Sequence, residues 1–395
     1  MVFENLMKCF LPKILTFLRI RQKYIIFESV PERDGSPWMI YNELKKRGYG
    51  KKYKLVWAVD SSFRISDECD CLPFFGKLSF LQRLKRYVIL YRAKLILDSN
   101  RKIEKNNPNS LRFFLRHGGP LKKCTKYLKT LGQIDCTLSL SDALKEIDYA
   151  NMSSSIGKLE NFLVLGFPAN DRIFEDVDLF QNGFYPRILS SSEMRNTYNK
   201  VIGWLPTFRQ HRAGNRIDST TLFPMGVPLI RSRDALLHLN SFLSDKNILM
   251  VVQMHHAQAA NFSKEKLSNI ILVPQELKYD FHVATANLMH SFDALITDYS
   301  AAYHEYILLN RPIALSIDDY EEYLSRTGFC LDFFEWIKGV YLKTYEDLLN
   351  FIENVAYGID SAKAEREKAM LRIHKYVDGN STHRVTDFLV GKANL

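Results

Sequence analysis

Short apolar runs recur along the chain, separated by amphipathic stretches. YIIFES at 24–29 and KLVWAV at 54–59 are of this kind, followed by KLILD (94–98), LRFFLR (111–116), 136–139 and FLVL (162–165). Apolar runs of four to eight residues predict strands buried on both faces. Helical periodicity fills the gaps at 38–47, 79–91, 120–131 and 141–149. Alternating strands and helices predict a parallel sheet covered on both sides. Around 176–200 the pattern lapses into a polar stretch with Gly183 and Pro186, which places a domain boundary there. It restarts with KVIGWL (200–205), NILMVV (247–252), 270–273, ALIT (294–297) and PIALS (312–316). Helices are expected near 231–243, 281–290, 300–309, 345–356, 361–375 and 382–391. The expected fold class is α/β: two doubly wound domains, 23–190 and 191–375, with a cleft between them. A C-terminal helix at 376–395 could pack back on the first domain. No strand is followed by a P-loop or a G-x-G-x-x-G turn, so NTPase or dinucleotide use lacks support.

Residues 1–22 stand apart. Phe3, Leu6, Met7, Phe10, Leu11, Ile14, Leu15 and Leu18 follow helical spacing, with Glu4, Lys8, Lys13 and Arg19 on the other face. This predicts an amphipathic helix kinked at Pro12. A secretory signal would need an unbroken apolar core and a small-residue cleavage site. The helix either packs as core or lies in a membrane interface.

Composition narrows the classes. At 395 residues, 46% apolar and 25% charged, the chain is neither disordered nor fibrous. The formal charge of +10 is uneven. Residues 1–190 carry 32 Lys+Arg and 20 Asp+Glu; the remaining 205 residues carry 22 and 24. Between Lys77 and Lys129 stand 15 basic residues, with Asp98 and Glu104 as the acids. Such a field attracts phosphate, whether in nucleic acid, lipid or substrate. It also tips the N-terminal helix toward the membrane. Six scattered cysteines lack metal or redox spacing and suit a reduced cytosolic protein.

Candidate chemistry gathers at strand ends, where α/β sites are built. Arg116-His117-Gly118-Gly119-Pro120-Leu121-Lys122-Lys123 offers a histidine suited to general base work, then glycines and lysines. Thr207 and Arg209 follow the 200–205 strand, the arginine with a fork that matches phosphate oxygens. His255 and His256 follow 247–252. Thr297, Asp298 and Ser300 lead from a strand into a helix, whose N-terminus would favour an anion. Asp298 and Ser300 could equally be helix caps. The acidic group 318–323 reads as the start of a helix. No paired acids suggest a metal site, so neither a metal nor a cofactor is expected.

In this order the segments resemble the CDP-glycerol glycerophosphotransferase family of teichoic-acid and capsule synthesis. RHGGPLKK (116–123) is similar to its Trp-His-Gly-Thr-Pro-Leu-Lys, and LGFPANDRIF (165–174) to its Gly-x-Pro-Arg-Asn-Asp. LPTFR (205–209), QMHH (253–256) and LITDYSAAYHEY onward from 295 are similar to its Pro-Thr-x-Arg, His-Pro and Leu-Ile-Thr-Asp-Tyr-Ser-Ser segments. The resemblance implies a GT-B-type enzyme with a CDP-donor domain second and an acceptor domain first. It implies transfer of an alditol phosphate, glycerol phosphate foremost, to a hydroxyl of a lipid-linked acceptor. The setting would be cytoplasmic, at the inner face of the membrane, with no nucleic acid as partner. By motif position His117 and His255 would be catalytic. Thr207, Arg209, Thr297, Asp298 and Ser300 would bind the donor. Arg116, Gly118, Lys122 and Lys123 would meet acceptor or phosphate.

The chain departs from the family pattern at Arg116, Ala169, His256 and Ala301. These departures keep open a GT-B sugar or sugar-phosphate transferase using another nucleotide donor. A non-enzymatic polyanion binder is the third reading, and it gives the strand-end histidines no task.

Overall fold

The computed structural model describes residues 22–30, 34–62, 70–123, 132–189, 198–207, 209, 217–221, 223–254, 267–274, 277–278, 281 and 283–395. Two compact units emerge. The first takes the described residues of Met1–His117 and Cys124–Asp171 together with Asp378–Leu395; the second takes Gly118–Lys123 and Arg172–Val377. The predicted helix at 1–22 lies, but for Gln22, outside the described residues.

Unit 1 is built on seven parallel strands: β1 (Tyr24–Glu28), β2 (Lys54–Asp60), β3 (Asp70–Phe75), β4 (Ala93–Asp98), β5 (Leu111–Phe114), β6 (Cys136–Ser139) and β7 (Phe162–Val164). Their order is β3-β2-β1-β4-β5-β6-β7. Unit 2 has six, β8 (Lys200–Trp204), β9 (Ile248–Val252), β10 (Ile270–Leu272), β11 (Ala294–Thr297), β12 (Ile313–Ser316) and β13 (Val340–Leu342), in the order β10-β9-β8-β11-β12-β13. Every pair is parallel. Both orders reverse direction once, between β1 and β4 and between β8 and β11, which is where doubly wound sheets hold ligands. The two α/β, Rossmann-like units match the expected fold class.

Burial explains the apolar runs. All five residues of β9 are buried, as are all four of β11 and of β12. In unit 1, Phe27 stacks on Trp57 beside Tyr41 and Trp38 of helix α1 (Gly35–Lys46). Helix α2 (Phe80–Tyr91) starts at a capping box formed by Ser79 and Gln82, and α3 (Asp142–Ile156) at Ser141. In unit 2, α4 (Phe184–Leu189) precedes β8, and α5 (Arg233–Asp245) packs Leu236, Leu239 and Leu243 onto the sheet. The helices α6 (Thr285–His290), α7 (Ala302–Tyr306), α8 (Tyr320–Arg326), α9 (Phe333–Trp336), α10 (Tyr345–Ala356) and α11 (Lys363–Ile373) complete it. The last helix, α12 (Ser381–Ala393), belongs to unit 1.

The sequence expectation differs from the structure in several places. The division falls between Asp171 and Arg172, not at 190, because the intervening segment is held by unit 2. The His290 ring bonds the Ile173 carbonyl (2.7 Å), and Tyr185 bonds Ser291 (2.6 Å). The expected helix at 120–131 is not helical where it is described; Lys122 instead makes an antiparallel bridge to Phe329. Two edge strands, β3 and β13, were not expected; Pro73 within β3 is tolerated because an edge strand can spare the missing donor.

The LGFPAND segment anchors α12. Asp171 accepts the Ser381 and Thr382 N–H groups (3.0 and 2.7 Å), placing its charge at the positive helix end. Gly166 has φ +80°, and a Cβ there would run into the Ser381 hydroxyl. Arg384 Nε donates to the Leu165 carbonyl (3.0 Å).

Candidate active site

The reversal between β8 and β11 organises unit 2. After β8 the chain leaves the sheet as Leu205-Pro206-Thr207. Thr297 Oγ1, at the end of β11, donates to the Leu205 carbonyl (2.8 Å). The next residue, Asp298, is fully buried and takes the Thr207 N–H on both oxygens (3.0 Å each). Asp298 is therefore no helix cap; it closes the turn beyond a neighbouring strand.

Arg209 completes this lock. Its Nη1 donates to Asp298 Oδ2 and to the Thr207 carbonyl (2.9 Å each). Nε and Nη2 donate to Asp319 Oδ2 (2.6 Å) and Oδ1 (3.1 Å), a bidentate fork. Tyr299 Oη donates to the same Asp319 Oδ1 (3.1 Å). The guanidinium is ringed by Phe223, Tyr299 and Tyr323, with centroids at 5.0, 5.1 and 5.3 Å. Burial disfavours its charge, but the Asp298 and Asp319 carboxylates more than offset this and hold the proton above the ordinary value. Burial also drives the Tyr299 hydroxyl up, with Asp319 acting in the same sense, so Tyr299 stays a neutral donor.

These bonds give Arg209 a local task, the ordering of the 205–209 turn. What that turn presents is Thr207. Among the described residues its buried Oγ1 has no hydrogen-bond partner. Ser300 Oγ accepts the Ala302 N–H (3.3 Å) at the start of α7, which is five residues long and carries a small dipole. Residues 118–123 pack into this same unit. A Cβ on Gly118 would lie 2.7 Å from the Ala301 Cβ, so the alanine and the glycine fit one another. Lys123 N donates to the Gly328 carbonyl, and Lys122 Nζ lies 5.5 Å from the Tyr323 ring centroid.

Arg116 and His117 stay with unit 1. Arg116 adopts φ 58°, and its guanidinium bonds the Leu138 carbonyl and pairs with buried Asp148. It is thus held by structure beside Phe167. The His117 side chain remains solvent-accessible, with Nδ1 3.0 Å from the Ser99 carbonyl. A carbonyl can only accept, so Nδ1 carries the proton and Nε2 is the basic nitrogen of the neutral ring. The surrounding protein holds its pKa below the ordinary value; the Ser99 bond opposes this, and the Arg116 charge assists it. His255 lies outside the described residues. Gln253 donates from Nε2 to Thr285 Oγ1 (3.4 Å).

Sequence reasoning left Asp319 in an ordinary helix start and did not single out Tyr299 or Tyr323. The available signal was an acid at the carboxyl end of β12, the position that mattered at Asp298. Among the described residues no three His, Cys, Asp or Glu side chains assemble as a metal-ligand set. A polar depression of about 420 Å³ lies at the opposite, amino-terminal ends of β4–β6, lined by Lys94, Lys105, Asp135 and Lys392. It is remote from His117.

The model described as CDP-Glycerol:Poly(glycerophosphate) glycerophosphotransferase matches residues 11–391. The chain belongs to this family. A teichoic acid poly(glycerol phosphate) polymerase of Bacillus spizizenii is 24% identical over 96% of this chain and 95% of its own. A polymerase of the same description from Bacillus subtilis is 24% identical over 85% of this chain and 44% of its own. A teichoic acid ribitol-phosphate primase of Bacillus spizizenii is 27% identical over 58% of this chain and 53% of its own. The chain spans about half the length of several curated relatives it matches. The structure of the wall teichoic acid polymerase TagF matches with a TM-score of 0.68 at 18% identity, over 99% of this chain and 98% of that one. That likeness supports the fold.

The lock predicts a stability loss. Arg209→Met leaves Asp298 and Asp319 buried without their cation, at a cost of about 3–5 kcal/mol. Urea denaturation at pH 7 measures this; a deficit below about 1 kcal/mol would contradict the assignment.

Proposed function

We propose that the protein transfers an alditol phosphate, glycerol phosphate foremost, from a CDP-activated donor to a hydroxyl of a lipid-linked cell-surface glycan. The oxygen–phosphorus bond from acceptor to alditol phosphate forms, the bond to the CMP phosphate oxygen breaks, and CMP leaves. His117 Nε2 takes the acceptor proton. The observation that carries the reading is the accessible His117 ring held in its Nδ1–H tautomer, in a chain whose family match spans 11–391. A pKa below the ordinary histidine value keeps that nitrogen unprotonated at neutral pH, as a general base requires. Charge growing on CMP needs N–H, hydroxyl or cationic partners. Thr207 and Ser300, on the turn and helix start that Arg209, Asp298 and Thr297 order, supply hydroxyls. Lys122 and Lys123 supply charge in the same unit, and His255 is a second catalytic candidate by motif. The mechanism needs no metal. Offered CDP-glycerol, CDP-ribitol and nucleotide sugars, the protein should release CMP from a CDP-alditol, with turnover surviving EDTA. His117→Gln should lower kcat by about 100-fold or more. UDP release alone, or unchanged turnover in His117→Gln, would contradict the reading.

We further infer peripheral attachment to an anionic membrane surface, where a lipid-linked acceptor resides. Phe80 and Leu81 open α2 while 55% and 73% exposed, beside Lys77, Arg83 and Lys85. Apolar groups flanked by lysines and arginines suit a headgroup interface, with the expected 1–22 amphipathic helix as a second contact. Phe80→Ser/Leu81→Ser should weaken sedimentation with phosphatidylglycerol vesicles about 10-fold while leaving Tm unchanged. Equal binding by the variant would exclude α2 as a contact.

A further inference from the structure

Glu28 closes β1 and lies directly across from Asp98 of β4, at the point where the unit 1 sheet reverses direction. A fully buried acid needs a task that offsets its desolvation. Its Oε2 accepts three successive backbone N–H groups: Ser99 (3.2 Å), Asn100 (3.0 Å) and Arg101 (2.9 Å). The Asn100 N–H and the Ser99 carbonyl belong to one peptide unit. That unit is planar, and in the trans form its N–H and C=O point in opposite directions. Gripping the N–H therefore aims the carbonyl, and the Ser99 carbonyl accepts from His117 Nδ1.

We propose that Glu28 is the positioning residue for His117: by holding the 99–100 peptide it fixes the ring's orientation and keeps the proton on Nδ1, leaving Nε2 as the base. This rests on the reading of His117 as the proton acceptor. Free neutral imidazole exchanges its proton between both nitrogens, so a base needs an outside partner to choose. Partners that orient a functional histidine from behind typically contribute 10–100-fold.

The charges around Glu28 fit a lasting grip. Asp98 beside it is paired with Arg112 (2.9 Å), and Arg101 Nε lies 3.9 Å from Glu28 Oε1. Burial, with Asp98 assisting and the three N–H donors opposing, pushes the Glu28 carboxyl up to about 7. Among the described residues Oε1 has no hydrogen-bond partner. A proton arriving there leaves Oε2 as an acceptor, so the peptide is held in either state. Glutamine, with its amide nitrogen at the Oε1 position, should serve nearly as well.

The test reads the ring directly. Nitrogen NMR of 15N-histidine-labelled full chain, with His117 assigned from the His117→Gln spectrum, reports which ring nitrogen is protonated. Wild type and Glu28→Gln are expected to show Nδ1–H. Glu28→Ala, or Glu28→Leu where a volume-conserving variant is needed for folding, should lose that preference. The same variants should lower kcat about 10-fold or more, with KM for the CDP-alditol within about twofold. A ring still held as Nδ1–H in the folded Ala or Leu variant overturns the proposal, even where activity falls. The catalytic reading fails separately, if His117→Gln keeps its turnover, and the tautomer result still decides the role of Glu28.

Discussion

The strand ends at the reversal of the second sheet are held by one buried guanidinium shared by two carboxylates. Arg209 ties the turn after β8 to Asp298 at the end of β11 and to Asp319 beyond β12. Three strand ends are thereby fixed to one planar group. Lysine could not do this, having a point charge rather than a fork. A buried pair of this kind contributes modestly to net stability when intact, but removing one partner strands the others. Its value is geometric: it sets the position of Thr207, whose buried hydroxyl has no hydrogen-bond partner among the described residues.

The first unit uses the same device for a different end. In each sheet a buried acid at the reversal point reaches across to backbone N–H groups beyond the neighbouring strand. Asp298 takes Thr207 N–H; Glu28 takes those of 99–101. A carboxylate accepting backbone donors is among the stronger ways to order a loop in a low-dielectric interior. In the proposed mechanism one grip presents the Thr207 hydroxyl to the donor phosphates, and the other presents the Ser99 carbonyl to His117.

Much of this architecture was legible in the sequence. Continuous apolar runs marked the buried parallel strands, and helix 345–356 appears with those same bounds. The edge strands β3 and β13 escaped because edge positions relax the pattern and admit Pro73. The 120–123 segment misled, since Leu121, Lys122 and Lys123 find their partners at 328–330, remote in sequence. Strand-end position singled out Thr207, Arg209 and Asp298, which the structure brings together at the β8–β11 reversal, and His117 in the other unit. What it could not give was direction. Whether Arg209 faces a phosphate or two aspartates, and whether Glu28 is idle or gripping a loop, depends on neighbours about 70–110 residues away. The Gly-x-Pro segment at 165–171, similarly, is tied to α12 through more than 200 residues of chain.

The most direct test of the account is a crystal structure of the protein with CDP. The account predicts that the pyrophosphate lies against Thr207 Oγ1 and Ser300, with Lys122 near its charge. Arg209 keeps its forks to Asp298 and Asp319. A nucleotide bound away from the β8–β11 reversal, or an Arg209 that leaves both carboxylates to hold the phosphates, would contradict it.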